Sequence, residues 1–191
     1  MLESPPSPPP RRRRRPAEFS RRLDCKYGHA PHDGRDLAAA IETIREVGTW
    51  DAFTGAVAEA FPGSAVRVAG EGGRLVVVMQ TPPFQRWFSA RELSDGTLQY
   101  LCLLTALTSP RPPGLMALNE PETSMHPALI GALAKMIVKA GEASQIWLTT
   151  HSVALAEEIE RLSGVGAVRL EKVEGETRVA GQTSMERMFR V

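Results

Sequence analysis

Three short segments of this 191-residue sequence place reactive side chains beside apolar runs. Asn119 and Glu120 follow the apolar run 115–118, and His151 comes two positions after the run 146–149. A glutamate at such a place could orient or deprotonate a water molecule, and a histidine could hydrogen-bond a phosphate oxygen. An ordinary loop after Glu120 and a half-buried capping histidine are the plain structural alternatives.

The third segment, Leu93–Thr97, reads Leu-Ser-Asp-Gly-Thr and precedes a strongly apolar run. Ser94 and the backbone of Asp95 and Gly96 would then stand at a helix N-terminus. Free N–H groups and the positive end of the helix dipole favour anions such as phosphate there. Gly96, which has no side chain, would let a ligand approach the backbone closely. A plain helix capped by Ser94 is the alternative.

The elements that would carry these segments alternate between strands and helices. Strands are predicted at 115–118 and 145–149, and each is followed by a helix. This order predicts the α/β class with a mostly parallel sheet, and such sheets bind ligands at the carboxyl ends of their strands. Further predicted elements are a helix over 36–47, a helix over 50–61 capped by Thr49, a hairpin over 65–79, a helix over 98–107, helices over 127–140 and 152–162, and a terminal hairpin over 168–179.

A metal site is another possible use of the carboxylate and imidazole groups of Glu120, Glu122, His126 and His151. Metal ligands on a helix commonly follow the spacing H-x-x-x-H or H-E-x-x-H, and the sequence contains neither. The spacing therefore argues against a metal site built from these four residues.

In order and wording, the three segments resemble the second half of an ABC-class ATPase domain. LSDGT at 93–97 resembles the signature motif, LMALNEPE at 115–122 resembles Walker B with its catalytic glutamate, and LTTHS at 148–152 resembles the switch-histidine motif. The stretch 122–127 resembles the D-loop. The wording is similar to bacterial predicted ATPases with an AAA-type core domain, relatives of SMC-like and OLD-like ATPases. The resemblance covers roughly residues 36–183, and it implies a partial P-loop NTPase fold with a helical signature lobe and β-hairpins.

The resemblance also implies a role for each residue of the motifs. Glu120 would polarise the attacking water and His151 would contact the γ-phosphate of ATP, so these two are the expected catalytic residues. Ser94, Asp95 and Gly96 would contact the γ-phosphate of an ATP held mainly by a second protomer. The implied partner is therefore a second copy of the chain, as a homodimer, or a full-length homologous ATPase.

ATP and Mg²⁺ are the cofactors that the resemblance implies. Asn119 stands where many ABC ATPases have the aspartate that holds Mg²⁺ through water. Because an amide is neutral, Asn119 would hold the cation more weakly than a carboxylate.

The P-loop of the family is absent from these 191 residues. A P-loop needs G-x-x-x-x-G-K-[ST], because its lysine reaches the β- and γ-phosphates and its hydroxyl binds Mg²⁺. None of the four lysines stands in that pattern: Lys26, Lys135, Lys139 and Lys172. We therefore expect the C-terminal half of an ATPase domain over 36–183, with a signature lobe at 36–114 and the Walker B and switch-histidine part at 115–183. Such a half is expected to be a truncated chain that is inactive alone. The alternative is a non-enzymatic module that completes an ATP site in trans.

The two ends of the chain are predicted to lie outside this domain. Residues 1–35 are expected to form a disordered tail rich in proline and arginine, and residues 184–191 a second tail. Residues 1–22 hold seven arginines and two glutamates, whereas the rest of the chain holds 16 basic and 20 acidic residues. The net charge of +1 thus averages two unlike parts. The arginine run could bind DNA, although no aromatic residue is interleaved with it to stack on bases.

Cysteine content and hydropathy bear on the compartment. Cys25 and Cys102 form neither a C-x-x-C pair nor a disulfide framework, which is typical of a reducing compartment. No apolar run approaches the roughly 18–20 residues needed to cross a bilayer. The expected protein is cytoplasmic and does not bind a membrane.

Overall fold

The computed structural model describes residues 35–173 and 175–180, and these ranges contain five α-helices, two 3₁₀ helices and seven strands. The helices are α1 (Arg35–Val47), α2 (Trp50–Ala60), α3 (Asp95–Leu107), α4 (Ile130–Ala140) and α5 (Val153–Ser163). The strands are β1 (Ala65–Glu71), β2 (Arg74–Gln80), β3 (Phe88–Ser89), β4 (Leu115–Asn119), β5 (Gln145–Thr149), β6 (Leu170–Val173) and β7 (Glu176–Val179). The 3₁₀ helices are Ala90–Glu92 and Pro127–Leu129.

Strands β1, β2 and β3 form an antiparallel sheet in that order. The tight turn between β1 and β2 contains Gly72 and Gly73 at φ 55° and 75°, a conformation that glycine adopts without steric cost. Helix α1 packs on β2, and Ile41, Ile44 and Val77 belong to the buried core. The apolar period predicted for residues 36–47 therefore faces this sheet.

Strands β4 and β5 form a parallel pair in which Asn119 lies opposite Thr149. Met116 and Leu118 of β4 are buried against the core. The opposite face of the pair is open among the described residues, and Trp147 of β5 is 65% exposed there. Parallel sheets are usually covered on both faces, and within residues 35–173 and 175–180 nothing covers this face of the pair.

Helix α3 crosses the middle of the core. Tyr100, Leu101 and Leu104 are each at most 1% exposed. The Tyr100 hydroxyl donates a hydrogen bond to the Ala56 carbonyl at 3.3 Å. Burial, and then the charge of Glu59, raise the pKa of Tyr100.

The predicted elements are present, with local differences. The hydroxyl of Thr49 makes no capping hydrogen bond to α2. Pro127 begins a 3₁₀ turn, and the α-helix follows from Ile130. The short strand β3 was not predicted, because two residues are too few to show an alternating pattern. The predictions for residues 1–34 and 181–191 lie outside the described residues. No described helix has the length and apolar content that a membrane crossing requires.

Candidate functional site

Glu120 and His151 come together at the carboxyl end of the parallel pair. Glu120 follows the last residue of β4, and its backbone N–H donates to the carbonyl of Thr149, the last residue of β5, at 2.8 Å. Glu120 has φ 46°, a left-handed conformation that is unusual for a residue with a side chain. This turn brings its Oε1 to 3.1 Å from Nε2 of His151. The side chain of His151 is 90% exposed, so the pair faces solvent.

Asn119 and Thr149 lie beside this pair at the end of the two strands. The Thr149 hydroxyl donates to Oδ1 of Asn119 at 2.7 Å. This bond uses one lone pair of the amide oxygen and leaves one for a water molecule. Among the described residues there is no group of three or more His, Cys, Asp or Glu side chains that could hold a metal ion.

Glu122 connects the segment after β4 with the segment after β5. Its Oε1 accepts hydrogen bonds from the Thr150 hydroxyl and from the Ser152 backbone N–H, the latter at 3.2 Å. Its Oε2 is buried without a hydrogen-bond partner. From the sequence, Glu122 was a candidate metal ligand and part of the segments that resemble Walker B and the D-loop. Its distance of 28 positions from Thr150 follows no motif that would predict the hydrogen bond. His126, another member of that metal hypothesis, instead accepts the Ala128 N–H at its Nδ1 at 3.2 Å.

Ser94 caps helix α3, as its sequence position predicts. Its Oγ accepts the Thr97 N–H at 3.2 Å and shares a hydrogen bond with the Thr97 hydroxyl at 2.8 Å. Ser94 and Gly96 line an open groove of about 550 Å³. The groove is also lined by Ala60, Phe61, Thr97 and residues 124–129. The N-terminus of α3 therefore faces this groove.

The structure shows a close neighbour of Gly96 within the chain itself. A Cβ atom at this position would lie 2.4 Å from the carbonyl oxygen of Ser124 and 3.3 Å from Cα of Met125. The close neighbour of Gly96 is thus the chain's own backbone, in the segment that resembles the D-loop. Ser124 in this segment has φ 65°, so it adopts a left-handed conformation, as Glu120 does.

Further contacts hold the start of α3 in place. Gln99 Nε2 donates to the carbonyl of Pro121 at 3.0 Å, which joins α3 to the residue after Glu120. Before α3, Ser89 and Glu92 form a capping box. The backbone N–H of Ser89 and then the guanidinium of Arg86 hold the pKa of Glu92 below its usual range. The serine-glutamate spacing of this box is a signal in the sequence that could have predicted it.

Comparisons with known proteins identify a family and a fold for this chain. A family described as "AAA domain, putative AbiEii toxin, Type IV TA system" matches residues 2–157. The match begins well upstream of residue 36, the predicted start of the domain. A comparison with curated proteins finds no match.

Several solved structures share the fold. A chain described under ATP-driven dimerization and DNA-stimulated activation of SMC ATPases superposes with a TM-score of 0.58 at 14% identity, over 80% of this chain and 91% of that one. The Smc head of Pyrococcus furiosus, bound to the C-terminal domain of ScpA, gives 0.57 at 14% identity. The Smc head of Pyrococcus yayanosii gives 0.57 at 15% identity.

The two Pyrococcus structures are much longer than the region they share with this chain. The match covers 78% of this chain in both cases, but only 37% and 29% of the respective Smc chains. At this level of identity the likeness shows the fold alone. It confirms the predicted α/β fold of the P-loop NTPase type, with a parallel pair of strands, antiparallel hairpins and helices.

Proposed function

Because the chain belongs to the AAA-domain family whose model matches residues 2–157, we propose that it supplies the signature and Walker B half of an ATPase site. Family membership supports a nucleotide-binding, ATPase-type function. The assignment of that function to particular residues is our proposal. One observation carries it: Glu120 and His151 lie 3.1 Å apart at the carboxyl ends of adjacent parallel strands.

In this proposal Glu120 orients and deprotonates the attacking water. Its carboxylate is 42% exposed, which leaves room for a water molecule beside it. His151 lies against the same carboxylate and is free to turn one ring nitrogen toward a phosphate oxygen. Asn119 would hold a water of a bound Mg²⁺ ion through the lone pair that Thr149 leaves unused.

The described residues offer a contact for a phosphate group of ATP but no P-loop. Ser94 and the N-terminus of α3 suit a phosphate, but no lysine lines the groove. The sequence has no G-x-x-x-x-G-K-[ST] to hold the β- and γ-phosphates. We therefore propose that ATP is held by a P-loop outside these 191 residues. The bound nucleotide and Mg²⁺ would supply the phosphoryl group and its charge neutralisation, while Glu120 and His151 act on the water.

A complementation experiment tests this proposal. The purified chain is mixed with the P-loop-bearing N-terminal fragment of a full-length family member, and phosphate release from ATP is measured. We expect little release from either part alone and clear turnover from the mixture. Glu120→Gln should lower that turnover by about 10²–10⁴-fold, the usual contribution of a general base. Turnover that is insensitive to Glu120→Gln would refute the assignment.

A second function is favoured by the groove beside Ser94. The groove is open, and it combines a helix N-terminus with Gly96 and the D-loop-like segment. Such a surface suits a γ-phosphate presented by another protomer, so the chain could complete an ATP site in trans without hydrolysing ATP itself.

The trans function is tested with a full-length homologue whose own signature serine is replaced by arginine. We expect the chain to restore ATP turnover by this homologue and Ser94→Arg to abolish the restoration. In this arrangement the homologue supplies the catalytic glutamate, so Glu120→Gln should have no effect. The two experiments therefore separate the two functions by opposite responses to one substitution.

A further inference from the structure

The position of His151 depends on the backbone that carries it. Its imidazole is 90% exposed and contacts the carboxylate of Glu120, so packing does not fix the ring. The residues on either side of it, Thr150 and Ser152, both hydrogen-bond to Oε1 of Glu122. A single carboxylate oxygen thus binds the chain immediately before and immediately after the histidine.

We propose that Glu122 is a positioning residue that holds His151 over Glu120. The proposal rests on the proposed function, in which the Glu120–His151 pair acts on ATP. Glu122 lies two positions after Glu120, so the segment that carries the carboxylate also fixes the segment that carries the imidazole. Glu122 therefore joins the two segments on both sides of His151, in addition to the bond from the Glu120 N–H to the Thr149 carbonyl.

The contacts of Glu122 indicate that its hydrogen-bond acceptor matters and that its negative charge does not. Oε1 accepts both hydrogen bonds, whereas Oε2 is buried without a partner. The two hydrogen bonds that Oε1 of Glu122 accepts from Thr150 and Ser152 are called the clamp below. An amide keeps one carbonyl oxygen as an acceptor, so glutamine can also make the clamp. Alanine cannot, because it has no acceptor. A role as a base or as a metal ligand would instead require the negative charge, and glutamine would not replace it.

Removal of the clamp should leave helix α5 intact. Ser152 caps α5 by accepting the Leu155 N–H at 3.2 Å through its own side chain, and this bond does not involve Glu122. Thr150 offers a second way to open the clamp. Its hydroxyl donates to Glu122 and accepts the Ser152 N–H at 2.9 Å, so Thr150→Val removes both bonds of this hydroxyl. The bond from the Ser152 N–H to Oε1 of Glu122 remains in that variant.

Hydrogen exchange on the isolated full chain tests the clamp directly. We expect the Ser152 amide to exchange faster, by up to about tenfold, in Glu122→Ala and in Thr150→Val, because each variant removes one of its two acceptors, Oε1 of Glu122 or the Thr150 hydroxyl. Glu122→Gln and Glu120→Gln should exchange like the wild type. The Thr97 amide, which is bound by Ser94, is the internal reference. Unchanged protection of Ser152 in Glu122→Ala and Thr150→Val would overturn the proposal.

The complementation assay with the P-loop fragment tests the consequence for the reaction. Glu122→Ala should lower kcat by about 10²-fold, the effect of a misplaced catalytic group, while KM for ATP stays unchanged. Glu122→Gln should retain most of the activity, in contrast to Glu120→Gln. Equal losses in the Ala and Gln variants of Glu122, or no loss in either, would overturn the proposal. If the wild-type mixture is inactive, the proposed function fails, and the exchange experiment still decides whether Glu122 holds the backbone next to His151.

Discussion

Replacement of Gly96 by alanine tests the contact between the start of α3 and the D-loop-like segment. The added Cβ would lie 2.4 Å from the Ser124 carbonyl oxygen and 3.3 Å from Cα of Met125. Both neighbours are backbone atoms, so no flexible side chain can move away. Ordinary contact begins near 3.4 Å, so the segment must shift by about an ångström, and overpacking of this kind costs about 1–3 kcal/mol.

The assay is equilibrium unfolding in urea, together with the thermal midpoint. For a chain of this size each kcal/mol lost lowers Tm by about 2–4 °C. Gly131→Ala is the matched control, because Gly131 lies in α4 and a methyl group added there would have no neighbour within 4 Å. Alanine there should raise the free energy of unfolding by about 0.5–1 kcal/mol through helix propensity.

The two glycine variants are thus expected to change stability in opposite directions. Helix propensity alone would favour alanine at both positions, since Gly96 also lies within a helix. If Gly96→Ala is as stable as the wild type or more stable, the close approach of Ser124 does not exist in solution, and the reasoning is refuted.

Two further predictions concern the core and the open sheet face. Burial raises the pKa of Tyr100 above its ordinary value of 10. Above about pH 10 the unfolded chain therefore loses this proton, whereas the folded chain keeps it. The free energy of unfolding falls with rising pH as a result. Tyr100→Phe should show a shallower loss in urea unfolding between pH 9 and pH 11, and equal slopes would contradict the assignment. Trp147 is 65% exposed beside the open face of β4 and β5, so Trp147→Gln should reduce self-association in sedimentation experiments. The free energy of unfolding should change by less than about 0.5 kcal/mol, and a larger loss would show that Trp147 is packed.

The helices and most strands could be predicted because their signals are local. The period of α1, the cap at Ser94 and the Gly72–Gly73 turn each depend on a few neighbouring residues. The proximity of Glu120 and His151 could also be predicted, since both follow strands of a predicted parallel sheet. Strand order alone places such residues at one edge.

The contacts across the site could not be predicted, because they join residues that are distant in sequence. The bond from Thr150 to Glu122 spans 28 positions, and the bond from Gln99 to Pro121 spans 22. Neither pair has a recognised spacing. Glycine at position 96 was assigned to the close approach of a ligand, and the structure adds a close approach of the chain's own backbone at Ser124. A missing side chain indicates close approach, but the sequence does not identify the neighbour.

The left-handed conformation of Glu120 lowers the stability of the fold at the position whose carboxylate faces His151. A residue with a side chain at φ 46° costs roughly 1–2 kcal/mol relative to a right-handed conformation. Glycine would relax the backbone, and asparagine adopts this region more readily than glutamate does. Both changes would also remove the carboxylate that faces His151. Selection for a more robust fold would therefore drive this position away from glutamate, whereas the proposed function requires its carboxylate.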